Sequence, residues 1–463
     1  MARAQGPVEQ IIRQRVAEHP DATWLKWQNT EVAWRDVLSN ARRAANGLLE
    51  LGVRPGDRVA ILMGNRPEFL WAHLGIVFIG AASVPVNISQ RGPTLQHILR
   101  DSGAAAVIVT DDLRDALASV AGDLPGLRHT VVFGGPAGRG ADWDFDRLMS
   151  APDREPEVEL PEPAGSVGMM YTSGTTGPPK GVVANRYDTT PLQVLLHTSG
   201  VQPGETMYTP LPLFHGNALL VSAIGSMILD AKLALAARFS ASRFWDDCRR
   251  YQAVEFNTLG GMISILLKQP PGPGDKDHRV RVVLSAGCPP DRWEEFQRRF
   301  GVRIIEWFGM VDSPGILLND AGRVGSMGRS GVAGVEFRVV GEDDQPLEPR
   351  RVGENISAWE VETVVNSHPK VLESAAHAVT SELGEDEVKI TVVVRPGDQP
   401  KHEEILDYCR GRMAHYAIPR YVEFAESLPK TETQRIQYAA LKARGVTPGT
   451  WDREQSGYRV ERA

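Results

Sequence analysis

The sequence predicts an α/β protein with a large N-terminal domain of mainly parallel sheets, residues 1–350, and a small α+β C-terminal domain, residues 351–463. Three observations carry this reading. Helix and strand patterns alternate from the N-terminus to about Gly331, the order that builds parallel sheets covered by helices on both faces. The pattern changes after Gly331, where Gly334-Val-Glu-Phe-Arg-Val-Val alternates like an antiparallel strand. A chain of 463 residues also exceeds what one hydrophobic core serves, so two or three domains are expected.

The elements follow in order. Val8-Glu-Gln-Ile-Ile-Arg-Gln-Arg-Val-Ala reads as an amphipathic helix with no apolar leader pattern. A helix from Trp34 stops at Gly52, and Asp57 to Met63 holds a short buried strand. A helix from Pro67 to Ile79 ends at Gly80, and Ala82-Ser-Val-Pro-Val is the next strand. Further strands fall at Ala106-Val-Ile-Val, His129-Thr-Val-Val-Phe, Ala253 to Thr258, Arg281 to Ser285 and Val302 to Phe308. In the small domain a helix starting at Ser357 is capped by that serine with Glu360, followed by strand Val388 to Val394, a helix from His402 and strand Tyr421-Val-Glu-Phe.

Bulk properties exclude some functions. A net charge of -7 argues against nucleic acid as a partner. The most apolar run, Ala218 to Phe239, is broken by Asp230 and Lys232, which fits a buried helix and strand better than a membrane span. Three widely spaced cysteines, Cys248, Cys288 and Cys409, have no metal-type spacing and suit reduced thiols in the cytoplasm.

The most specific stretch is Tyr171-Thr-Ser-Gly-Thr-Thr-Gly-Pro-Pro-Lys180-Gly181, with apolar residues on both sides: strand, loop, strand. Its glycines let backbone approach a ligand, its N–H groups and hydroxyls can donate to phosphate oxygens, and Lys180 adds a positive charge. The loop reads as a polyphosphate grip. It is not the common nucleotide loop, because two prolines separate Gly177 from Lys180 and Gly181 follows the lysine.

This stretch resembles the signature loop of the adenylate-forming superfamily, which includes acyl- and aryl-CoA synthetases. The resemblance implies ATP binding by Thr172, Ser173, Gly174, Thr175, Thr176, Gly177 and Lys180, with Lys180 also catalytic. Other motifs agree in order along the chain. Pro210-Leu-Pro-Leu-Phe-His215-Gly-Asn217 resembles the family segment whose histidine lies between nucleotide and carboxylate substrate. A positioning role for His215 is preferred to general-base work, because a carboxylate is already ionised at neutral pH. Ser285, Ala286 and Gly287 match the adenine wall, whereas the neighbouring Cys288 is read as a packing residue. Glu306-Trp307-Phe308-Gly309-Met310-Val311-Asp312 matches the aromatic segment that stacks on adenine. The same resemblance puts His215, Asn217, Asn257, Gly260, Gly261, Gly309 and Ser313 around the acid, and Gly353 and Glu354 beside coenzyme A. Arg435 stands where the family has a catalytic lysine, on a small mobile domain that turns between half-reactions.

Departures accompany the match. The family threonine that bonds the α-phosphate is Val311, which cannot do so. The family glutamate that helps hold Mg²⁺ is Asp312, one methylene shorter, and remains the metal candidate. Gln434 and Arg435 replace glycine and lysine, and nearby Lys430 is not promoted to the catalytic role. The chain also passes from Glu348-Pro-Arg-Arg351 directly to Gly353-Glu-Asn-Ile. Family members carry several tens of residues there, including a ribose-gripping aspartate and the hinge. The expectation is that the intact protein contains them and is heavier than this sequence.

The expected function is therefore an ATP-dependent acid:CoA ligase using ATP, Mg²⁺ and coenzyme A on an aromatic or other bulky carboxylic acid, resembling carnitine-type and aryl ligases of secondary metabolism. A homodimer is compatible with this. Two alternatives stay open: a stand-alone enzyme that loads a carrier protein, and a nucleotide-binding relative with impaired catalysis.

Overall fold

The computed structural model describes residues 7–159, 166–172, 178–185, 190–313, 315–338, 358–380, 386–413, 415–429 and 436–460. Two large sheets form the N-terminal part and a small four-stranded sheet the C-terminal part. The α/β class and the mainly parallel sheets are as the sequence predicts, but the alternation builds two sheets.

The first sheet has seven strands. Trp143–Asp144, His129–Phe133, Ala106–Thr110, Arg58–Leu62, Ala82–Pro85 and Ser166–Thr172 run parallel, and Lys180–Asn185 turns back antiparallel at the edge. Four-residue and five-residue strands such as Ala82–Pro85 and Ala106–Thr110 are buried along their whole length. Continuous apolar runs of this kind are what a sheet covered on both faces requires.

The second sheet has nine strands. Its six central strands are parallel: Thr23–Trp27, Lys232–Leu235, Thr206–Thr209, Ala253–Leu259, Val282–Ala286 and Arg303–Gly309. Thr30–Ala33 closes one edge and Ile316–Asn319 with Arg329–Ser330 the other, all antiparallel to their neighbours. The apolar run after His215 resolves into helical turns Asn217–Ile224 and Gly225–Leu229, a left-handed reversal at Asp230 (φ 56) and strand Lys232–Leu235. The polar Asp230 and Lys232 thus mark the turn between a buried helix and a buried strand, as expected.

Helices Trp34–Leu51 and Pro67–Phe78 pack with very close backbones. A Cβ on Gly75 would lie 2.5 Å from the Ala44 Cβ and 2.8 Å from the Ala45 nitrogen. On the other side of the first helix, a Cβ on Gly47 would collide with the Leu148 carbonyl. The first helix is therefore held between two glycine contacts that no larger residue fits without backbone movement. Its end is set by Gly52, which takes φ 106.

In the C-terminal part, Val371–Thr380 and Asp386–Val394 are antiparallel, Tyr421–Phe424 is parallel to the second of these, and Trp451–Asp452 closes the sheet. Helices Ala358–Asn366 and His402–Cys409 agree with the sequence reading. Ser357 lies outside the described residues, so its capping role is not seen. Two corrections arise. Residues 334–338 are irregular, because Gly334 takes φ 79 and the segment finds no strand to pair with among the described residues. Strand Val371–Thr380 went unread because its alanines, serine and histidine carry little β-branched signal. Among the described residues none of the three cysteines is in a disulfide, and all three are buried. Burial raises the Cys248 thiol pKa far above its ordinary range and pushes that of Cys409 up to about 12. Among the described residues, no helix is long and apolar enough to cross a membrane.

Two stability predictions follow from packing and burial. Gly75→Val should lower unfolding free energy by about 1–3 kcal/mol, whereas Gly122→Ala, where a Cβ meets nothing within 4 Å, should be close to neutral; urea midpoints check both. His73 is fully buried with both ring nitrogens unpartnered, and burial lowers its pKa to about 4. The unfolded chain takes up a proton near the ordinary histidine value of about 6.5, the folded chain only near 4. Stability from neutral His73 is thus complete above pH ~6.5 and lost progressively towards pH 4. His73→Leu should flatten the stability–pH curve in that window, measured by urea titrations at stepped pH.

Candidate active site

The parallel arrangement decides where ligands can bind. The carboxyl ends of Thr206–Thr209, Ala253–Leu259, Val282–Ala286 and Arg303–Gly309 lie along one edge of the nine-stranded sheet. Each runs into one of the motifs singled out in the sequence: the His215 segment, Gly260-Gly261, Gly287 and Met310 to Ser313. Carboxyl ends of parallel strands are the usual ligand edge of such sheets.

The first sheet contributes the glycine-rich stretch. Ser166–Thr172 and Lys180–Asn185 pair antiparallel, with Thr172 opposite Lys180. This agrees with strand, loop, strand. Lys180 is exposed at the start of its strand. Two contacts hold the strand ends to helix Gly92–Asp101: the Tyr171 hydroxyl donates to Asp101 at 2.7 Å, and His97 Nε2 meets the Pro179 carbonyl oxygen at 2.8 Å. Ser173, Gly174, Thr175, Thr176 and Gly177 lie outside the described residues.

The two sheets meet at Gly216. A Cβ there would lie 3.3 Å from Val311 Cγ1 and 3.6 Å from Met170 Sδ. Met170 belongs to the strand leading into the glycine-rich stretch, Gly216 follows His215, and Val311 follows the aromatic segment. Three motifs spread over some 140 residues of sequence therefore come together at one place. Val311, which cannot serve the α-phosphate, instead packs against the histidine loop.

Asn65 fixes that loop, and the sequence reading missed it. It lies just beyond strand Arg58–Leu62 of the first sheet and is buried. Its Nδ2 donates to the Leu211 and Ala236 carbonyls at 2.8 and 2.9 Å, and its Oδ1 accepts from the Leu213 amide at 2.8 Å. The only sequence signal was an asparagine in a strand-to-helix connection, Met63-Gly-Asn-Arg-Pro67. His215 itself is exposed at the head of the helical segment, with its ring edge-on to Phe214 at 4.7 Å. Loss of hydration among the surrounding groups lowers its pKa below the ordinary histidine value, so it is neutral at pH 7.

Glu306 has a structural task in addition to its place in the motif. Its buried carboxylate accepts from the backbone amides of Gly287 and Cys288, the latter at 3.1 and 3.2 Å. This ties strand Arg303–Gly309 to the turn after Val282–Ala286, where Gly287 takes φ 93, a conformation suited to glycine. Ser285 is fully buried with its hydroxyl unpartnered. Trp307 is buried, and its ring lies 3.2 Å from where a Gly309 Cβ would be, so a side chain at 309 would be crowded. Phe308 is partly exposed, and Met310, Val311 and Asp312 are exposed. Ser313 uses its hydroxyl locally, donating to the Gly315 carbonyl at 3.1 Å.

Asn217 and Asn257 are joined directly: Asn257 Nδ2 donates to Asn217 Oδ1 at 2.7 Å. Ser222 donates to Asn257 Oδ1 at 2.8 Å. Among the described residues, no group of three or more histidine, cysteine, aspartate or glutamate side chains could hold a metal. Asp312 offers an exposed carboxylate, the oxygen donor a hard cation prefers when phosphates supply the remaining ligands. Gly353, Glu354, Lys430, Gln434 and Arg435 lie outside the described residues.

Comparison with known proteins agrees with the fold. The family profile of the AMP-binding enzyme matches residues 12–356, and that of the AMP-binding enzyme C-terminal domain matches residues 360–435. The two matches nearly adjoin, and the chain runs unbroken through Arg350 and Arg351. No stretch long enough for the expected ribose-binding and hinge segment lies between the two matches in this sequence. Long-chain fatty acid transport protein 2 of Rattus norvegicus is 31% identical over 340 residues, covering 71% of this chain and 54% of the relative. The medium/long-chain-fatty-acid–CoA ligase FadD6 of Mycobacterium tuberculosis is 32% identical over 320 residues, 67% of this chain and 51% of that protein. The chain spans about half the length of these relatives. Among solved structures, o-succinylbenzoate CoA synthetase from Bacillus subtilis superposes with TM-score 0.77 at 22% identity, over 95% of this chain and 99% of that one. The amide bond synthetase McbA from Marinactinospora thermotolerans gives TM-score 0.74 at 18% identity, over 95% and 99%. With three quarters of its length under one profile, the chain belongs to the AMP-binding, adenylate-forming enzyme family.

Proposed function

We propose that the protein is an ATP-dependent carboxylic acid:CoA ligase acting on an aromatic or other bulky acid. The observation that carries this is the contact of Met170, Gly216 and Val311, which brings the polyphosphate stretch, the His215 loop and the aromatic segment to one place. In the first half-reaction a carboxylate oxygen attacks the α-phosphorus of ATP. The bond to the bridging oxygen breaks, and pyrophosphate leaves with that electron pair. In the second, the CoA sulfur attacks the acyl carbon, AMP departs and the thiol proton is released.

The residues divide this work by position. Thr172 and Lys180 stand at the mouth of the glycine-rich stretch, where Ser173 to Gly177 would bind the terminal phosphates with N–H and hydroxyl donors. Ser285 to Gly287 and Phe308 would form the adenine wall and stacking surface. Neutral His215 would orient the acid by hydrogen bonding. Arg435 would neutralise charge between carboxylate and α-phosphate, and Gly353 and Glu354 would border the pantetheine. Asp312 fits Mg²⁺ as a single carboxylate ligand, and the ion when bound would offset charge on the phosphate oxygens. Catalysis of this kind is mainly positioning and charge neutralisation. Gly260 and Gly261, which open the helix after a central strand, would leave room for a broad acid. The domain boundary near residues 350/351 and a cytoplasmic location complete the reading.

A second reading, a nucleotide-binding relative with impaired catalysis, is favoured by one observation: the chain lacks the segment that holds ribose and forms the hinge. ATP–pyrophosphate exchange with a panel of acids separates the two. Acid-dependent exchange followed by CoA-thioester formation is expected. Exchange without thioester would favour carrier-protein loading or amide formation, and ATP binding with no exchange would favour the impaired relative. Arg435→Ala should slow exchange at least tenfold more than thioester formation from supplied acyl-AMP; equal slowing would remove its assigned role.

A further inference from the structure

Beneath the His215 loop lies a line of buried polar side chains that packing does not explain. Asn257 and Ser222 are both fully buried, in the middle of the largest hydrophobic core. Their hydrogen bonds run in one direction. The Ser222 hydroxyl donates to Asn257 Oδ1, and Asn257 Nδ2 donates to Asn217 Oδ1. The line ends at Asn217 Nδ2, which is buried and has no partner. Two residues earlier on the same strand, and therefore on the same face as Asn257, stands Glu255. It is fully buried, and both its oxygens are unpartnered. Burial raises its pKa far above the ordinary carboxylate value, which favours the protonated form.

Local geometry links this line to the site. Asn217 is two residues from His215 and opens the π-helical turn Asn217–Ile224, a wide helix form that is frequent at functional sites. Asn257 lies near the carboxyl end of its strand, three residues before Gly260. Buried polar atoms without partners are rare because each forgoes its hydration. An unpartnered donor at the end of a directed line calls for a ligand atom that accepts a hydrogen bond.

We propose that Asn217, Asn257, Ser222 and Glu255 form a polar floor to the acyl pocket, and that the acid carries a second oxygen function, a hydroxyl, ketone or amide carbonyl, remote from its carboxylate. This rests on the acid-ligase reading, in which His215 borders the carboxylate. It narrows the substrate class away from plain apolar chains, although relatives are named for long-chain fatty acids. A site whose buried donors expect a partner discriminates strongly against the analogue lacking it.

The test is ATP–pyrophosphate exchange with acids matched in length and differing by one oxygen: octanoate against 7-oxo-octanoate, and phenylpropanoate against 4-hydroxyphenylpropanoate. The wild type should prefer the oxygenated member of at least one pair by about tenfold or more in kcat/KM. Asn257→Leu should remove most of that preference, with the loss arising from the oxygenated acid. Asn217→Ala, which deletes the free donor without adding bulk, serves if Asn257→Leu does not fold. Equal or better use of the apolar members by the wild type overturns the polar floor while leaving the ligase reading intact, as does a preference unchanged in a folded variant. If no acid supports exchange, the ligase reading falls, and thermal shifts decide the floor. Greater stabilisation by the oxygenated acids, lost in Asn217→Ala, supports it, and no difference overturns it.

Discussion

One side chain joins the two large sheets where the motifs meet. Asn65 leaves the end of a strand in the seven-stranded sheet and bonds three backbone groups in the nine-stranded sheet's loops. Two of these lie in the Pro-Leu-Pro-Leu segment before His215, and the third just beyond strand Lys232–Leu235. An amide is suited to this, because it offers donors and an acceptor in a rigid plane. With the loop anchored, Gly216 can lie against both Met170 and Val311. The glycine-rich stretch and the aromatic segment, on different sheets, are thereby held against a common loop. Buried hydrogen bonds of this kind do little for net stability but penalise strongly any arrangement that leaves them unmade.

The site's parts were more legible than its joints. The polyphosphate stretch, the histidine segment and the aromatic segment announced themselves through unusual residue order. Glycine and proline spacing are local properties, so sequence can show them. Asn65, Asp101 and His97 did not, because each is an ordinary polar residue whose partner lies far along the chain. Their importance is created by topology, which local sequence does not contain. Glu306 shows the mixture: its motif position was clear, yet its bonds to the Gly287 and Cys288 amides depend on two parallel strands being neighbours. The fold behaves similarly. Parallel strands with continuous apolar runs were plain, whereas Val371–Thr380, rich in alanine, was recognised only through its pairing with Asp386–Val394. Residues 334–338 have the opposite history, an alternating pattern with no neighbouring strand among the described residues to satisfy it.

The chain keeps the family's two bodies while lacking the stretch that normally lies between them. A continuous sequence through Arg350 and Arg351 would leave ATP, bound as proposed, without the family's aspartate on its ribose. Nucleotide recognition would then fall on contacts to adenine and phosphate. The buried hydroxyl of Ser285 and the exposed segment Met310 to Asp312 are the parts of that surface whose polar capacity the protein itself leaves unused or open.

The three buried thiols give the molecule built-in reporters. Cys248 lies in the core of the large part and Cys409 in that of the small part, both with no solvent contact. Their raised pKa values keep them as unreactive thiols while the cores are closed. An alkylating reagent can therefore modify each only when its own core opens. The order in which the two sulfurs are labelled becomes a record of which half of the protein loosens first, and of whether nucleotide binding protects one half or both.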